Sequence, residues 1–178
     1  MKKLVQFIDR MNTGIARCTF WLMLIMVFIG TYNAIGRKLG QHFGWSITSN
    51  ALLEMQWYMF SIIFLFVGAY NLRKDAHVRV DILYDRLSPK KRAWINLIGA
   101  LCFLMPLAAV CFWTSLDFVG DSWTDRETSS DPGGLLRYPL KTVIPVAFVL
   151  LMLQGLSEIL KSIAIIRDQP MDEPGEAA

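Results

Sequence analysis

Four long stretches of the sequence contain no Asp, Glu, Lys or Arg, and they constrain the fold more than any other feature. These stretches are residues 18–36, 55–72, 93–116 and 142–157, which hold 19, 18, 24 and 16 residues. A helix needs about 20 apolar residues to cross a bilayer core about 30 Å thick. The first three stretches meet that requirement, and the fourth meets it by continuing past Glu158 to Leu160.

The stretches predict an all-α integral membrane protein with four transmembrane helices. The helices are expected at about residues 15–36, 52–72, 89–117 and 139–161. Barrel strands would alternate polar and apolar residues, and these stretches do not. The composition agrees, because 54% of the residues are hydrophobic and only 19% are charged, against about 25% charged in soluble domains. We predict one membrane domain over residues 1–168, followed by a disordered acidic tail over 169–178.

The distribution of Lys and Arg predicts the orientation of the four helices. Thirteen of these residues lie in the N-terminal segment, the connection between helices 2 and 3, and the C-terminal segment, and five lie in the other two connections. Short connections rich in Lys and Arg stay in the cytoplasm. We therefore expect both termini on the cytoplasmic side, and placing both on one side is consistent with an even number of spans.

The first helix is expected to be retained rather than removed as a signal peptide. The chain starts with basic residues, but Asp9, Arg10 and Arg17 precede an uncharged stretch that is too long for a signal peptide.

The residue types that hold cofactors are scarce in the predicted spans. Both histidines, His42 and His77, are expected in loops, where they would not hold a haem between helices. The three cysteines lie inside apolar stretches without the spacing of a zinc site. We therefore expect no metal, no cofactor and no catalytic residues, and a net charge of +3 is too small to indicate nucleic acid.

A few polar side chains fall within or at the ends of the spans. Glu54 is expected at the start of helix 2, where the helix dipole favours a carboxylate, and Glu158 near Lys161 at the end of helix 4. Either glutamate is a boundary residue or forms an ion pair with another subunit. Asn33, Asn96 and Gln154 are candidates for hydrogen bonds between helices.

Two connections carry further information. The connection at 117–137 is acidic and ends in the turn sequence 131–134, so it is either a solvated loop or a docking surface outside the membrane. The connection between helices 2 and 3 is basic, and Val78 and Val80 would share one face of an extended segment that ends at Asp81. That segment is either an anchor for anionic headgroups or a structured elbow packed on protein.

The residues of helices 2 to 4 together resemble the small membrane subunit of tripartite ATP-independent periplasmic (TRAP) transporters, the DctQ-like family. The motifs are Glu54-x-x-Trp57-x-x-Phe60, Arg73-x-x-Ala76-His77-Val78-Arg79-Val80-Asp81, Leu87-Ser88-Pro89, Tyr138-Pro139-Leu140-Lys141, Pro145 and Gln154-Gly155. Helix 1 matches in topology only. The resemblance makes the following residues candidates for family-specific or interface roles: Glu54, Trp57, Arg73, His77, Val78, Arg79, Val80, Asp81, Tyr138, Pro139 and Lys141.

The resemblance implies a division of labour in the bacterial inner membrane. A large DctM-like membrane subunit would carry the sodium and substrate sites, and a periplasmic DctP-like protein would deliver an organic acid. The small subunit would enlarge the fixed scaffold, with Glu54 and Trp57 facing the large subunit or the interface.

Two other functions remain open at the level of the sequence. A membrane anchor of a respiratory oxidoreductase would need haem or quinone ligands within the bundle. An autonomous four-helix transporter would need a carboxylate in the middle of a span, and Glu54 is the nearest candidate.

Overall fold

The computed structural model describes residues 1–44, 49–74 and 87–169 of the chain. Within these ranges the chain forms four helices that are long and apolar enough to cross a membrane, which confirms the predicted fold class. They are α1 (Lys2–Phe43), α2 (Asn50–Arg73), α3 (Pro89–Thr124) and α4 (Tyr138–Ile166). Residues His77, Val78, Arg79, Val80 and Asp81, and the predicted acidic tail from residue 170 onward, lie outside the described residues.

The helices extend beyond the predicted spans, and α1 extends the furthest. It has 42 residues against a predicted span of 15–36, because an uncharged stretch marks the length suited to lipid and not the ends of the helix. The expectation that His42 lies in a loop is wrong, since His42 lies in the last turn of α1. The helix ends at Gly44, whose φ of 70° is in the left-handed region that glycine adopts without strain.

An irregular turn interrupts α3. The helix begins at Pro89 after Ser88, as the sequence indicates, although the Ser88 side chain makes no capping hydrogen bond. Residues Ala100–Leu104 form a π-helical turn, and Pro106 follows two residues later. Because proline cannot donate the hydrogen bond that a regular helix requires, an altered pattern just before it is expected. The helix then continues to Thr124, so Asp117 and Asp121 lie on α3 and not in a loop.

Helix α4 is the central element of the bundle. It packs against α1, α2 and α3, while α1 packs mainly on α2. In its most apolar segment 39% of the residues are buried, compared with 11% in α1 and in α3. Gly155 permits the close approach of α3, because a Cβ atom at this position would lie 3.0 Å from Leu104 Cδ2. The outer faces of α1 and α3 are left exposed, with large residues such as Phe28 and Phe103 uncovered.

A short hairpin connects α3 to α4. Thr128 and Leu136 face each other as an antiparallel bridge, and the Ser129 amide donates to the Leu135 carbonyl at 3.0 Å. The predicted turn lies at the tip, where Gly133 has a φ of 72°. The hairpin is therefore ordered by its own backbone pairing.

Candidate functional site

Most polar contacts that join different helices, or the hairpin to a helix, within the described residues gather at the two ends of the bundle. We call one group the basic-end cluster; it contains Asp9, Asn12, Arg73, Gln154, Ser157, Glu158 and Lys161. We call the other the acidic-end cluster; it contains Glu54, Ser122, Glu127, Ser129, Leu135 and Lys141.

Asp9 of α1 is the centre of the basic-end cluster. The residue is only 1% exposed. Its Oδ1 accepts hydrogen bonds from Gln154 Nε2 at 3.0 Å and from Ser157 Oγ at 2.9 Å. Its Oδ2 lies 2.9 Å from Lys161 Nζ, close enough for an ion pair although the contact is not directed as a regular hydrogen bond. The carboxylate thus contacts three successive turns of α4.

Arg73 brings the end of α2 into the same cluster. Its Nε lies 3.7 Å from Asp9 Oδ2, and its Nη1 donates to the Asp9 carbonyl oxygen at 3.3 Å and to the Thr13 hydroxyl. Three helices therefore meet at one carboxylate.

The basic-end cluster has no net formal charge, because it holds two acidic and two basic side chains: Asp9, Glu158, Arg73 and Lys161. Lys161 Nζ also lies 2.9 Å from Glu158 Oε1, and Gln154 receives a 2.7 Å hydrogen bond from Asn12 Nδ2. The predicted proximity of Glu158 to Lys161 and the predicted interhelical hydrogen bonds of Gln154 are confirmed. Because a buried charge is tolerated when it is paired and hydrogen-bonded, these contacts make the cluster a structural tie between α1, α2 and α4.

Glu54 of α2 is the centre of the acidic-end cluster. It is 2% exposed, accepts a hydrogen bond from the Leu135 amide at 2.5 Å, and is also bound by the Ser129 hydroxyl. A Cβ atom on Gly134 would lie 2.8 Å from Glu54 Oε2, so glycine is needed at that position. The structure thus buries Glu54 against the hairpin of its own chain. The family resemblance had instead implied that Glu54 would face the large subunit or the interface.

Glu127 binds the hairpin to the start of α4. Its carboxylate contacts the Lys141 ammonium and accepts a 2.7 Å hydrogen bond from Ser122 Oγ. The hydrogen bond from Lys141 and, to a lesser degree, that from Ser122 hold the pKa of Glu127 below its usual range. The Lys141 ammonium also lies 3.9 Å above the Phe118 ring, a favourable cation–π position.

The remaining predicted site residues lie at different places. Tyr138 packs beside the acidic-end cluster, where its ring centroid is 4.6 Å from that of Trp123. Pro139 is exposed, and Trp57 is 45% exposed on α2, so both are available to a neighbour. Arg73 lies at the opposite end of the bundle.

Sequence reasoning missed Asp9 as a site residue. It precedes the first uncharged stretch, so the sequence indicates only a charge outside the membrane. Its spacing of three residues from Asn12, on the same face of a helix, is the one signal that could have indicated a polar contact with another helix.

The fold and its two polar clusters define a multi-pass helical membrane protein whose buried polar residues hold its own helices and hairpin together. Residues 25–164 match the family described as tripartite ATP-independent periplasmic transporters, DctQ component. The match covers most of the chain, and the chain therefore belongs to the DctQ family, which confirms the resemblance found in the sequence.

A relative gives the same assignment. The chain is 29% identical over 145 residues to the isethionate TRAP transporter permease protein DctMQ of Oleidesulfovibrio alaskensis. The matched segment covers 80% of this chain but only 22% of that protein. No solved structure matches the chain. Membership of a transporter family does not favour the alternative of a respiratory anchor.

Proposed function

We propose that this chain is the non-catalytic scaffold subunit of a TRAP-type importer of an organic acid. A DctM-like subunit would carry the substrate and sodium sites, and a periplasmic DctP-like protein would deliver the substrate. The chain would lie in the bacterial inner membrane with both termini in the cytoplasm.

The observation that carries this proposal is the internal pairing of the buried carboxylates. Asp9 is bound by Gln154, Ser157 and Lys161, and Glu54 by Ser129 and Leu135. Carboxylates that mark an ion or substrate path lie within the transmembrane segments, and both Asp9 and Glu54 lie outside the uncharged stretches. These two instead join secondary-structure elements, as expected in a rigid support.

The relative supports the proposed partnership. The similar segment occupies about a fifth of the DctMQ protein, so in that protein it is covalently joined to a much longer chain. We propose that here the large subunit is a separate chain that packs against this one. Trp57, Tyr138 and Pro139 are our candidates for that contact, together with the elbow residues 77–81.

Reconstitution tests the proposal. The chain is incorporated into liposomes alone and together with the large subunit that copurifies with it, and uptake of a labelled organic acid is measured with and without a sodium gradient and the periplasmic protein. We expect uptake only with all three proteins and the gradient. Solute flux through liposomes that contain this chain alone, or a haem absorbance band in the purified protein, would contradict the proposal.

A further inference from the structure

A basic cleft lies between α1 and α2 next to the basic-end cluster. Its volume is about 430 Å³, within the range of about 300–1,000 Å³ typical of small-ligand sites. It is lined by the basic residues Arg17 and Lys74, by Ala16, and by the aromatic residues Phe20 and Tyr70. We propose that this cleft binds the phosphate group of an anionic phospholipid.

The charge of the cleft is the first argument. Arg73, which also lines it, is already engaged by Asp9, and the acidic and basic residues of that cluster balance. Arg17 and Lys74 are exposed, and neither forms an ion pair within the described residues. The two cations therefore leave the cleft with a net positive charge that an anion would neutralise.

The depth of the cleft in the membrane is the second argument. The uncharged stretch of α1 begins at residue 18, and that of α2 ends at residue 72. Arg17 and Lys74 therefore lie where the two helices leave the hydrocarbon, at the same end of the bundle. Phosphate groups of the bilayer lie at that same level. Basic pockets between transmembrane helices at this level bind anionic headgroups, and the rings of Phe20 and Tyr70 extend the site towards the acyl chains.

A lipid-binding titration tests the proposal with the full chain in an uncharged detergent. Short-chain phosphatidylglycerol and phosphatidylcholine are added, and the bound lipid is counted by native mass spectrometry. The double variant Arg17→Gln, Lys74→Gln removes the cations. The variant Ala16→Leu fills the cleft and keeps them. The double variant Arg37→Gln, Lys38→Gln removes the same charge from the other end of α1 and serves as the matched control.

We expect the native chain and the control to prefer phosphatidylglycerol. The cleft double variant should bind it roughly 30-fold more weakly, because each basic residue near an anionic surface contributes about a factor of five, and Ala16→Leu should also weaken binding. The lipid should raise the Tm of the native chain but not that of the two cleft variants. Unchanged circular dichroism without lipid shows that the variants fold.

Other results would overturn the proposal. Equal lipid binding by the native chain and the cleft double variant would show that the cleft is not the site, and an equal loss in the control would show that only net charge matters. Lipid binding by Ala16→Leu at the native level would exclude the interior of the cleft. Competition by millimolar inorganic phosphate would identify a soluble anion as the ligand in place of the lipid. Unchanged lipid binding with weaker copurification of a protein subunit would assign the cleft to a protein interface.

Discussion

Asp9 and Lys161 stand near opposite ends of the chain, and their charged groups lie 2.9 Å apart at one end of the bundle. The first helix is thereby fixed to the last, and Arg73 adds the second helix to the same contact. This tie lies outside the uncharged stretches of α1 and α2, so it does not require charge to be placed at the centre of the membrane.

We expect Asp9→Asn to destabilise the bundle. Removal of one partner of a buried ion pair costs about 3–5 kcal/mol, because the remaining cations stay buried. Unfolding in mixed detergent micelles, followed by circular dichroism, measures the loss. The control is Asp168→Asn, which removes the exposed 2.7 Å pair with Lys90 and should change the free energy of unfolding by less than about 1 kcal/mol. Similar effects of the two substitutions would show that the Asp9 contacts are not a tie.

Glu54→Gln is expected to loosen the hairpin without unfolding the bundle. The carboxylate accepts from Ser129 and Leu135, and charged acceptors form stronger hydrogen bonds than neutral ones. Amides of the hairpin should exchange hydrogen roughly tenfold faster, as measured by mass spectrometry. Asp131→Asn alters an exposed carboxylate of the same hairpin and should leave exchange unchanged. Unchanged exchange in Glu54→Gln would exclude the role that we assign to Glu54.

The hairpin should lose protection in acid because of Glu127. Its pKa is lowered from the ordinary value of 4.5 in the folded protein. Because the pKa of Glu127 is lower in the folded protein than in the unfolded protein, its carboxylate stabilises the fold. This stabilisation is fully present above pH 4.5 and is lost as the pH falls through the pKa that Glu127 has in the folded protein. Hydrogen exchange of the hairpin between pH 7 and about pH 3 should show this loss, corrected for the intrinsic effect of pH. Glu127→Gln should be less protected at pH 7 and should respond less to acid; an identical acid response would assign the effect to another group.

Gly155→Leu should separate α3 from α4. A Cβ atom at this position already lies 3.0 Å from Leu104 Cδ2 and 3.2 Å from Met105 Sδ, so a larger side chain has no room. Overpacking of this kind costs about 1–3 kcal/mol, which thermal unfolding in detergent detects. Gly99→Leu is the matched control, because a Cβ atom there meets nothing within 4 Å. A native Tm in Gly155→Leu would mean that α3 adjusts without strain.

Asp81→Ala tests the elbow that the family resemblance singles out. If the elbow positions the large subunit, the substitution should reduce the yield of the complex and the rate of uptake and leave the affinity of the periplasmic protein for its substrate unchanged. Asp85→Ala removes a carboxylate outside the motif and is the control. Normal uptake with normal complex yield in Asp81→Ala would show that the elbow does not position the large subunit.

The number and class of the helices follow from the sequence alone, because uncharged stretches of membrane length are a local property. The turn at residues 131–134 is predictable for the same reason, and so is the contact between Glu158 and Lys161, which are three residues apart on one helix. The sequence underestimates the lengths of α1 and α3, since a helix continues beyond lipid wherever its side chains find neighbours, as Val5 and Ile8 of α1 do.

The partners of Asp9 and Glu54 could not be predicted in this way. Gln154 and Asp9 are separated by 145 positions in the sequence, and Leu135 and Glu54 by 81. Such pairs depend on how the helices are arranged around α4. A charged residue beside a span looks the same in the sequence whether it faces water, a partner subunit or a distant part of its own chain.

The length of α1 has a mechanical consequence. Its 42 residues give a rod of about 63 Å, roughly twice the thickness of the hydrocarbon core. Because its first turns are fastened to the last helix, a thinner or thicker bilayer cannot make this rod slide past its neighbours. Tilting of the whole bundle as a single body is then the adjustment to bilayer thickness that leaves this contact intact.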